Sequence, residues 1–276
     1  DERAGGAANV ARNVQALGAQ VHLATVIGDD PAGSRLLELF KARGMGVNAC
    51  LVSKGRPTSI KTRIIRDNEH MLRVDEETDE KISKELSSSL LSSCISILEA
   101  NKIDVVIFED YDKGVLTKEL ISGLTSEAKN RGIPVAVDPK LKGFLNYQGV
   151  DLFKPNLKEL REGLNLKLEV PEGLPSAILS MHEKLNPILS LTTLGSFGMW
   201  VHAPSKDVNQ THFPCRPSNI IDVSGAGDTV IATAALMLAS GASPTDIAET
   251  ANLAGGIVCE QSGVVTVDLD KLLSES

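Results

Sequence analysis

One stretch limits what this chain can fold into more than any other. It reads Asp222-Val-Ser-Gly-Ala-Gly-Asp-Thr229 and then stays small or apolar, almost without a break, to Ala239. Gly225 and Gly227 let the backbone turn tightly with little side chain in the way. The run from Thr229 to Ala239 is apolar on nearly every face, so it reads as a buried helix, stopped at Gly241. A helix with no wet face needs a large core around it. A glycine-rich turn feeding a helix N-terminus also presents free N–H groups and the positive end of a dipole, which suits an anion, most often a phosphate. Asp228 lies in the middle of that turn. The dipole alone would favour a carboxylate there, so one reading is a helix-stabilising Asp. The other is a general base that takes a proton from a hydroxyl while the N–H groups stabilise a transferring phosphoryl group. The local pattern leaves the two even.

At 276 residues the chain is long enough for one large α/β domain. Its net charge of −8 argues against a nucleic-acid or anionic-membrane surface, though not against a local basic pocket. No apolar run is long enough to span a bilayer. Cys50, Cys94, Cys215 and Cys259 are scattered, with no C-x-x-C and no His at metal spacing, which reads as four free thiols in a reducing, cytoplasmic compartment. Nine aromatic residues are too few for a platform that stacks single strands.

Taken in order, Gly5-Gly6-Ala-Ala-Asn9 opens a helix to about Leu17, closed by Gly18. The glycine pair is either a turn or a place where backbone comes close to a ligand, with Asn9 offering a donor and an acceptor. An apolar strand, Val21 to Ile27, ends at Gly28. Asp30 then caps a helix with Pro31 at its first position, running to about Arg43. From Val47 to Asp75 the texture becomes β-rich: Ala49–Ser53, Thr58–Arg66 and His70–Val74, with turns at Lys54-Gly55 and Asp67-Asn68. Such an insert suits a lid over a site, a subunit contact, or both. Lys61, Arg63, Arg66 and Arg73 make it basic, either as a solvated face or as a clamp on a phosphorylated substrate.

Helix and strand then alternate. Helices are expected over Ile82–Ala100 and Thr117–Arg131, with strands at Asp104–Phe108, Pro134–Val137, Leu152–Lys154, Ile188–Thr193 and Met199–His202. Polar clusters follow successive strands: Glu109 to Gly114, Asp138-Pro-Lys140, and Asn156 to Glu159. The C-terminal edge of parallel strands is where open α/β sheets bind ligands. Asn156 and Glu159 lie on one face of a helix start, where they either cap it or hold a hydrated Mg²⁺. Lys140 either meets phosphate oxygens or is solvated. Gly195 and Gly198 suit a hairpin or a flat surface for a base. Ser243-Pro244 caps a last long helix to about Glu260, which carries Asn252, and Gly263–Val267 reads as a final strand.

Together these pieces resemble the pfkB (ribokinase-like) carbohydrate kinases. The motifs are Gly5-Gly6-x-x-Asn9 with Gly18 and Gly28, then Asn156-x-x-Glu159, then Asp222-Val-Ser-Gly-Ala-Gly-Asp-Thr229. The resemblance covers essentially the whole chain. It implies a mostly parallel, Rossmann-like sheet flanked by helices, with an inserted β lid over 47–75 that often pairs subunits into dimers. It implies that Asp228 activates a sugar hydroxyl and that Gly225, Ala226 and Gly227 form the anion hole. Asn156 and Glu159 would organise Mg²⁺, Lys140 would meet ATP phosphates, Thr193, Gly195 and Gly198 would line the nucleotide site, and Asn252 would lie near the adenine. Gly5, Gly6 and Asn9 would face the sugar. Members of the family often bind potassium near the loop that here begins at Asp222.

Within the family the likeness is closest to heptose 7-phosphate kinases of ADP-heptose synthesis. It rests on Arg3-Ala-Gly-Gly-Ala-Ala-Asn-Val-Ala, Arg56-Pro-Thr-x-x-Lys61-Thr-Arg63, Leu72-Arg73-Val-Asp75, Asp110-Tyr111-x-Lys113-Gly114 and Asp138-Pro-Lys140. It implies transfer of the ATP γ-phosphoryl group to the anomeric hydroxyl, with Lys61, Arg63 and Arg73 as candidates for the distal phosphate and Asp110 and Lys113 beside the substrate. The alternatives are a kinase for fructose, ribose or a nucleoside, and a non-catalytic sugar- or nucleotide-binding scaffold. The family's first strand, with its substrate-binding Asp, precedes the Gly-Gly motif. The chain is therefore expected to be a fragment of a kinase domain. Without a His-x-Gly-His motif it is expected to carry kinase activity only.

Overall fold

The computed structural model describes residues 5–66, 69–216 and 219–276. In chain order the helices and strands are α1 (Ala7–Ala16), β1 (His22–Gly28), α2 (Pro31–Ala42), β2 (Gly46–Ser53), β3 (Ile60–Arg66), β4 (Glu69–Glu76), α3 (Lys84–Ala100), β5 (Val106–Glu109), α4 (Lys118–Asn130), β6 (Val135–Asp138), β7 (Leu152–Phe153), α5 (Leu157–Gly163), α6 (Leu174–Leu185), β8 (Leu189–Thr193), β9 (Met199–Ala203), β10 (Val208–Phe213), α7 (Ala226–Ala239), α8 (Pro244–Cys259) and α9 (Leu269–Glu275).

Local chemistry starts several of these elements where the sequence says it should. Asp30 Oδ1 accepts the Gly33 N–H at 2.7 Å and caps α2, with Pro31 at its first position. The other oxygen, Oδ2, accepts the Thr58 N–H at 2.8 Å, so one carboxylate caps a helix and ties down the chain that leads into β3. The backbones come so close here that a Cβ on Gly28 would lie 2.5 Å from the Arg56 carbonyl oxygen. Along α3 the serines at 89, 92, 93 and 96 bond back to carbonyls four residues earlier, while Leu90, Cys94, Ile97 and Leu98 turn into the core.

The largest sheet runs in the order β10-β9-β8-β7-β6-β5. Strands β5 to β8 are parallel, and β9 and β10 return antiparallel. Alternate residues point to opposite faces. On one face Phe108, Val135, Val137 and Phe153 pack with Leu90 and Ile97 of α3, Leu120 and Leu124 of α4, and Ile178 and Met181 of α6. On the other, Ala136, Leu152, Leu189 and Val201 meet Val10 and Val14 of α1, Ile231 and Ala235 of α7, and Ile247 and Ala251 of α8. The helix α7 is thus sandwiched, which its sequence anticipated. A parallel sheet covered on both sides leaves only its strand ends open to a ligand.

Three expectations change. The strand at Gly46–Ser53 does not belong to the insert: it pairs in parallel with β1, as the return strand of a β-α-β unit through α2. The insert is narrower than 47–75, an antiparallel hairpin of β3 and β4. Its turn at Asp67-Asn68 lies outside the described residues, as does the Arg3-Ala4 start of the opening motif. The segment Gly263–Val267 is not a strand. Among the described residues no strand lies alongside to complete a ladder; instead the Val267 N–H donates to Asn13 Oδ1 at 3.0 Å and the side chain packs beside Leu253 and Ile257. Strand β10 and helices α6 and α9 were not anticipated.

Candidate active site

The parallel strands deliver their polar ends to one edge in a row. Strand β5 ends at Glu109 and β6 at Asp138, and the parallel register sets these two side by side. Lys154 follows β7 directly, its N–H bonded to the Val137 carbonyl at 2.9 Å. Thr193 ends β8, its N–H held by the Pro155 carbonyl at 3.0 Å. Lys154 is 2% exposed and its ammonium lies 2.9 Å from Asp138 Oδ2.

Over this edge stands the N-terminus of α7. Gly225 has φ +82, and a Cβ on it would come 3.0 Å from Asn9 Nδ2, so glycine is required both by conformation and by contact. A Cβ on Gly227 would lie 3.8 Å from Lys154 Nζ, which places that buried cation against the turn. Asp228, in the first turn of α7, is held on both oxygens. Asn9 Nδ2 donates to Oδ2 at 2.7 Å and the Tyr111 hydroxyl donates to Oδ1 at 3.1 Å. The Tyr111 ring packs over Gly6, where a Cβ would be 3.4 Å away. The two glycine-rich motifs, far apart in sequence, therefore meet at one carboxylate.

The electrostatics here are severe. Carboxylate oxygens of Glu109, Asp138 and Asp228 lie within 4.8 Å of one another. Burial, and then the charges of Asp138 and Asp228, push the Glu109 carboxyl well above the usual range. Burial also raises Asp138, against the pull of Lys154 and Lys140. Burial works against the Lys140 charge, but Asp138 and Glu159 outweigh it and hold its pKa above the ordinary value. Tyr111 is raised by burial and by Asp228, so it remains a hydroxyl donor at neutral pH.

Asn156 and Glu159 form a reciprocal capping box at the start of α5, each accepting the other's N–H at 2.8 Å. The second Glu159 oxygen takes Lys140 Nζ, so both carboxylate oxygens are engaged. Further along the edge, Gly198 adopts φ +90, and a Cβ there would lie 2.1 Å from the Phe213 carbonyl oxygen. Asn252 Nδ2 donates to the Pro214 carbonyl at 2.8 Å, and the Cys215 thiol lies 3.5 Å from both the Gly195 carbonyl and Asn252 Oδ1. Gly195, Gly198 and Asn252 thus meet around the Phe213–Cys215 segment.

Of the other expected residues, Asp110 is 5% exposed and spends its carboxylate on the Tyr147 hydroxyl at 2.7 Å and the Asp112 N–H at 2.8 Å. Lys113 bonds Glu77 at 2.5 Å. Lys61, Arg63 and Arg73 share one face of the hairpin, since Lys61 pairs with Asp75 and Arg63 with Arg73. Arg73 makes a two-pronged contact with Asp75 at 2.9 and 2.6 Å, and Lys61 lies 3.2 Å from Glu77. Sequence reasoning did not single out Glu109, Asp138, Lys154 or Tyr111 as site residues. The available signal was charge where a buried strand ends.

Comparison with known proteins agrees along the whole chain. A family model described as pfkB family carbohydrate kinase matches residues 1–272. Relatives named bifunctional protein HldE include those of Sulfurimonas denitrificans, 37% identical over 268 residues, and Caulobacter sp. strain K31, 40% identical over 272. The matches cover 97% and 98% of this chain but 55% and 54% of the relatives, so the chain spans about half the length of the curated relatives it matches. Among solved structures, phosphofructokinase-2 from Escherichia coli in complex with potassium superposes with TM-score 0.80 at 19% identity, covering 99% of this chain and 86% of that one. Arabidopsis thaliana ribokinase complexed with ribose and ATP gives TM-score 0.75 at 18% identity, covering 99% and 88%. The architecture is therefore ribokinase-like.

Proposed function

The chain belongs to the pfkB family of carbohydrate kinases, and on that footing we propose that it phosphorylates the anomeric hydroxyl of a heptose 7-phosphate, giving the 1,7-bisphosphate. An ATP-dependent sugar kinase with a divalent metal is what the family itself implies. The likeness to the HldE relatives supports the heptose. One observation carries the chemistry: Asp228 stands at the α7 N-terminus between two hydrogen-bond donors, with the buried Lys154 ammonium against the same turn.

In this mechanism Asp228 takes the proton of the sugar hydroxyl. Asn9 and Tyr111 hold its two oxygens, so the carboxylate cannot rotate away. The N–H groups of Gly225 to Gly227 and the Lys154 ammonium face the transferring group and spread its charge. A bound Mg²⁺ would supply positive charge against the charge that develops on the phosphate. Asn156 and Glu159 fit this role through coordinated water, as both protein oxygens of Glu159 are already engaged. Lys140 reaches toward ATP phosphate, and Thr193, Gly195, Gly198 and Asn252 border the base. Gly5, Gly6 and Asn9 face the sugar, with Asp110 and Lys113 supporting the loop beside it. A potassium ion near Asp222 is part of the same proposal; that carboxylate already orders its loop through the Ser224 and Gly263 N–H groups, each at 2.9 Å.

The hairpin closes over the sugar with the face that carries Lys61, Arg63 and Arg73. Its opposite face exposes Ile64, Leu72 and Val74. We place a second copy of the chain there, as a homodimer. Sedimentation of a strict monomer at micromolar concentration would remove this part. Among the described residues no helix is long and apolar enough to cross a membrane, and a cytoplasmic enzyme fits that.

The test is ADP release with heptose 7-phosphate, the unphosphorylated heptose, fructose 6-phosphate and ribose, with and without Mg²⁺. Turnover confined to heptose 7-phosphate is expected. Replacing Lys61, Arg63 or Arg73 singly by Ala should raise its KM about 10-fold or more at the contacting position, as lost hydrogen bonds to a charged group do, with kcat nearly unchanged. Equal turnover of an unphosphorylated sugar would discard the clamp. Nucleotide binding without ADP release from any sugar would leave a scaffold.

A further inference from the structure

Lys61 on the hairpin and Lys113 on the loop after β5 already share an anion that the chain itself supplies. Glu77 follows β4 directly, and strand alternation continues through it the face that carries Arg73 and Asp75. Its Oε1 accepts from Lys113 Nζ at 2.5 Å, and Lys61 Nζ stands 3.2 Å from its Oε2. One carboxylate thus joins the hairpin to the loop after β5. That loop also carries Tyr111, whose hydroxyl donates to Asp228. The hydrogen bond from Lys113 is the main cause that holds the Glu77 carboxyl below its usual range, so it is ionised at neutral pH.

The hold is uneven. Oε2 is sealed from water yet has no aligned hydrogen bond among the described residues; the Lys61 ammonium meets it as a charge only. A carboxylate in that state is open to replacement by an anion that accepts from both lysines. The stems of the hairpin have other ties. Arg56 donates to the carbonyls of Glu80 and Lys113, Lys142 pairs with Asp79, and the Ile82 N–H bonds the Gly114 carbonyl at 3.0 Å. Charge indicates what the replacement is. On this face and its loop Lys61, Arg63, Arg73 and Lys113 are positive, and Asp75 and Glu77 are negative. Two positive charges are left over, which a phosphate monoester of about −1.5 to −2 matches. A hydroxyl has no charge to set against that of Glu77.

We propose that Glu77 is a specificity-determining residue, whose carboxylate occupies Lys61 and Lys113 until the distal phosphate of the sugar displaces it. A site discriminates by such a built-in cost as well as by attraction. The phosphorylated sugar meets the cost with its own charge, and the unphosphorylated sugar gains nothing at these lysines. The inference rests on the reading of the basic hairpin as a phosphate clamp.

Heptose 7-phosphate, the unphosphorylated heptose and inorganic phosphate are each titrated calorimetrically into the nucleotide-free chain. Glu77→Gln keeps shape and removes the charge. It should bind heptose 7-phosphate and inorganic phosphate about 5-fold tighter than the parent does, the size usual for a contest between part-exposed charges. The unphosphorylated heptose should bind both alike. Adding Lys113→Met should abolish the gains, which ties them to these lysines and not to another anion-binding surface. Melting curves verify folding, and Glu77→Ala repeats the test without a hydrogen-bonding side chain. Weaker or unchanged binding of heptose 7-phosphate in Glu77→Gln overturns the proposal, since Glu77 then orients the lysines or only fastens the hairpin. An equal gain for the unphosphorylated heptose overturns it too, as would a gain for inorganic phosphate alone. The clamp is scored separately. If Lys61→Ala and Lys113→Met leave heptose 7-phosphate affinity unchanged, the clamp itself falls. If they weaken it while Glu77→Gln does not strengthen it, the clamp stands and only the role of Glu77 falls. ADP release is not needed for any of these outcomes, so a failure of turnover would count against the kinase alone.

Discussion

Asp228→Asn is expected to lower kcat by about 10³-fold or more while changing the KM for the sugar by less than about 3-fold. General-base removal at a positioned carboxylate has effects of this order, and the lost interaction belongs to the transition state. The substitution keeps volume but removes an acceptor. Asn9 and Tyr111 now donate to two different oxygens of Asp228, and an amide can accept on only one side. One of those contacts must therefore weaken. Against that, the change deletes a charge from a group whose carboxylate oxygens lie within 4.8 Å of Glu109 and Asp138. Thermal stability should accordingly hold or rise while turnover collapses. Steady-state kinetics and a melting curve on the same preparation check this. A variant within 10-fold of the parent kcat would show that Asp228 is a helix-stabilising residue and not the base.

Lys154→Met should damage both stability and activity. The ammonium is nearly sealed from water and pairs with Asp138 at 2.9 Å. Without it, Lys140, at 3.9 Å, is the one ion-pair partner left to Asp138 among the described residues, beside the carboxyl groups of Glu109 and Asp228. Breaking a buried pair from one side costs about 3–5 kcal/mol, because a charge is left buried without a partner. For a domain of this size that corresponds to a melting temperature lower by roughly 10 °C. The double change Lys154→Met with Asp138→Asn should recover much of that loss, because the stranded charge goes with its partner. It should not recover turnover, since the cation beside Gly227 is still missing. Recovery of both would assign Lys154 a structural role alone. A single variant that melts within about 2 °C of the parent would show the pair to be weakly coupled.

The two residues differ in how readable they were. Asp228 announces itself through its neighbours: a glycine turn, an apolar helix, and a carboxylate between them. Lys154 sits after two apolar residues of a short strand, and nothing adjacent in sequence tells a buried ammonium from a solvated one. The same holds for Glu109, which reads as one more acid in a polar loop. Its environment comes from Asp138 on the next strand and Asp228 on a helix from the other end of the chain.

Element by element, what was legible was local. The caps read at Asp30 and Ser243 bond the N–H groups their positions suggest. Asn156 and Glu159 show the limit of such reading. Their spacing allowed either a capping box or a metal pair, and the backbone conformation at the start of α5 realised the box. Edge strand β10 went unread because Val208-Asn-Gln-Thr-His-Phe213 is largely polar, with one face in water. Gly263–Val267 was read as a strand on its residue types. Residue type cannot supply a partner strand, and pairing is what makes a strand.

By itself, then, the sequence determined most of the helices, the alternation of α and β elements, the glycine turn before α7 and the acid in it, because each follows from neighbours within a few residues. Only the tertiary structure decided which strand Gly46–Ser53 joins, how narrow the hairpin is, and which acids meet. The parallel register of β5 and β6 sets Glu109 beside Asp138, and the packing of α7 across the sheet lowers Asp228 onto both. Those proximities depend on strand order and register, which no short window of sequence encodes. They bring like charges together in a dry place, where their Coulomb interaction is strong enough to govern the chemistry of the site.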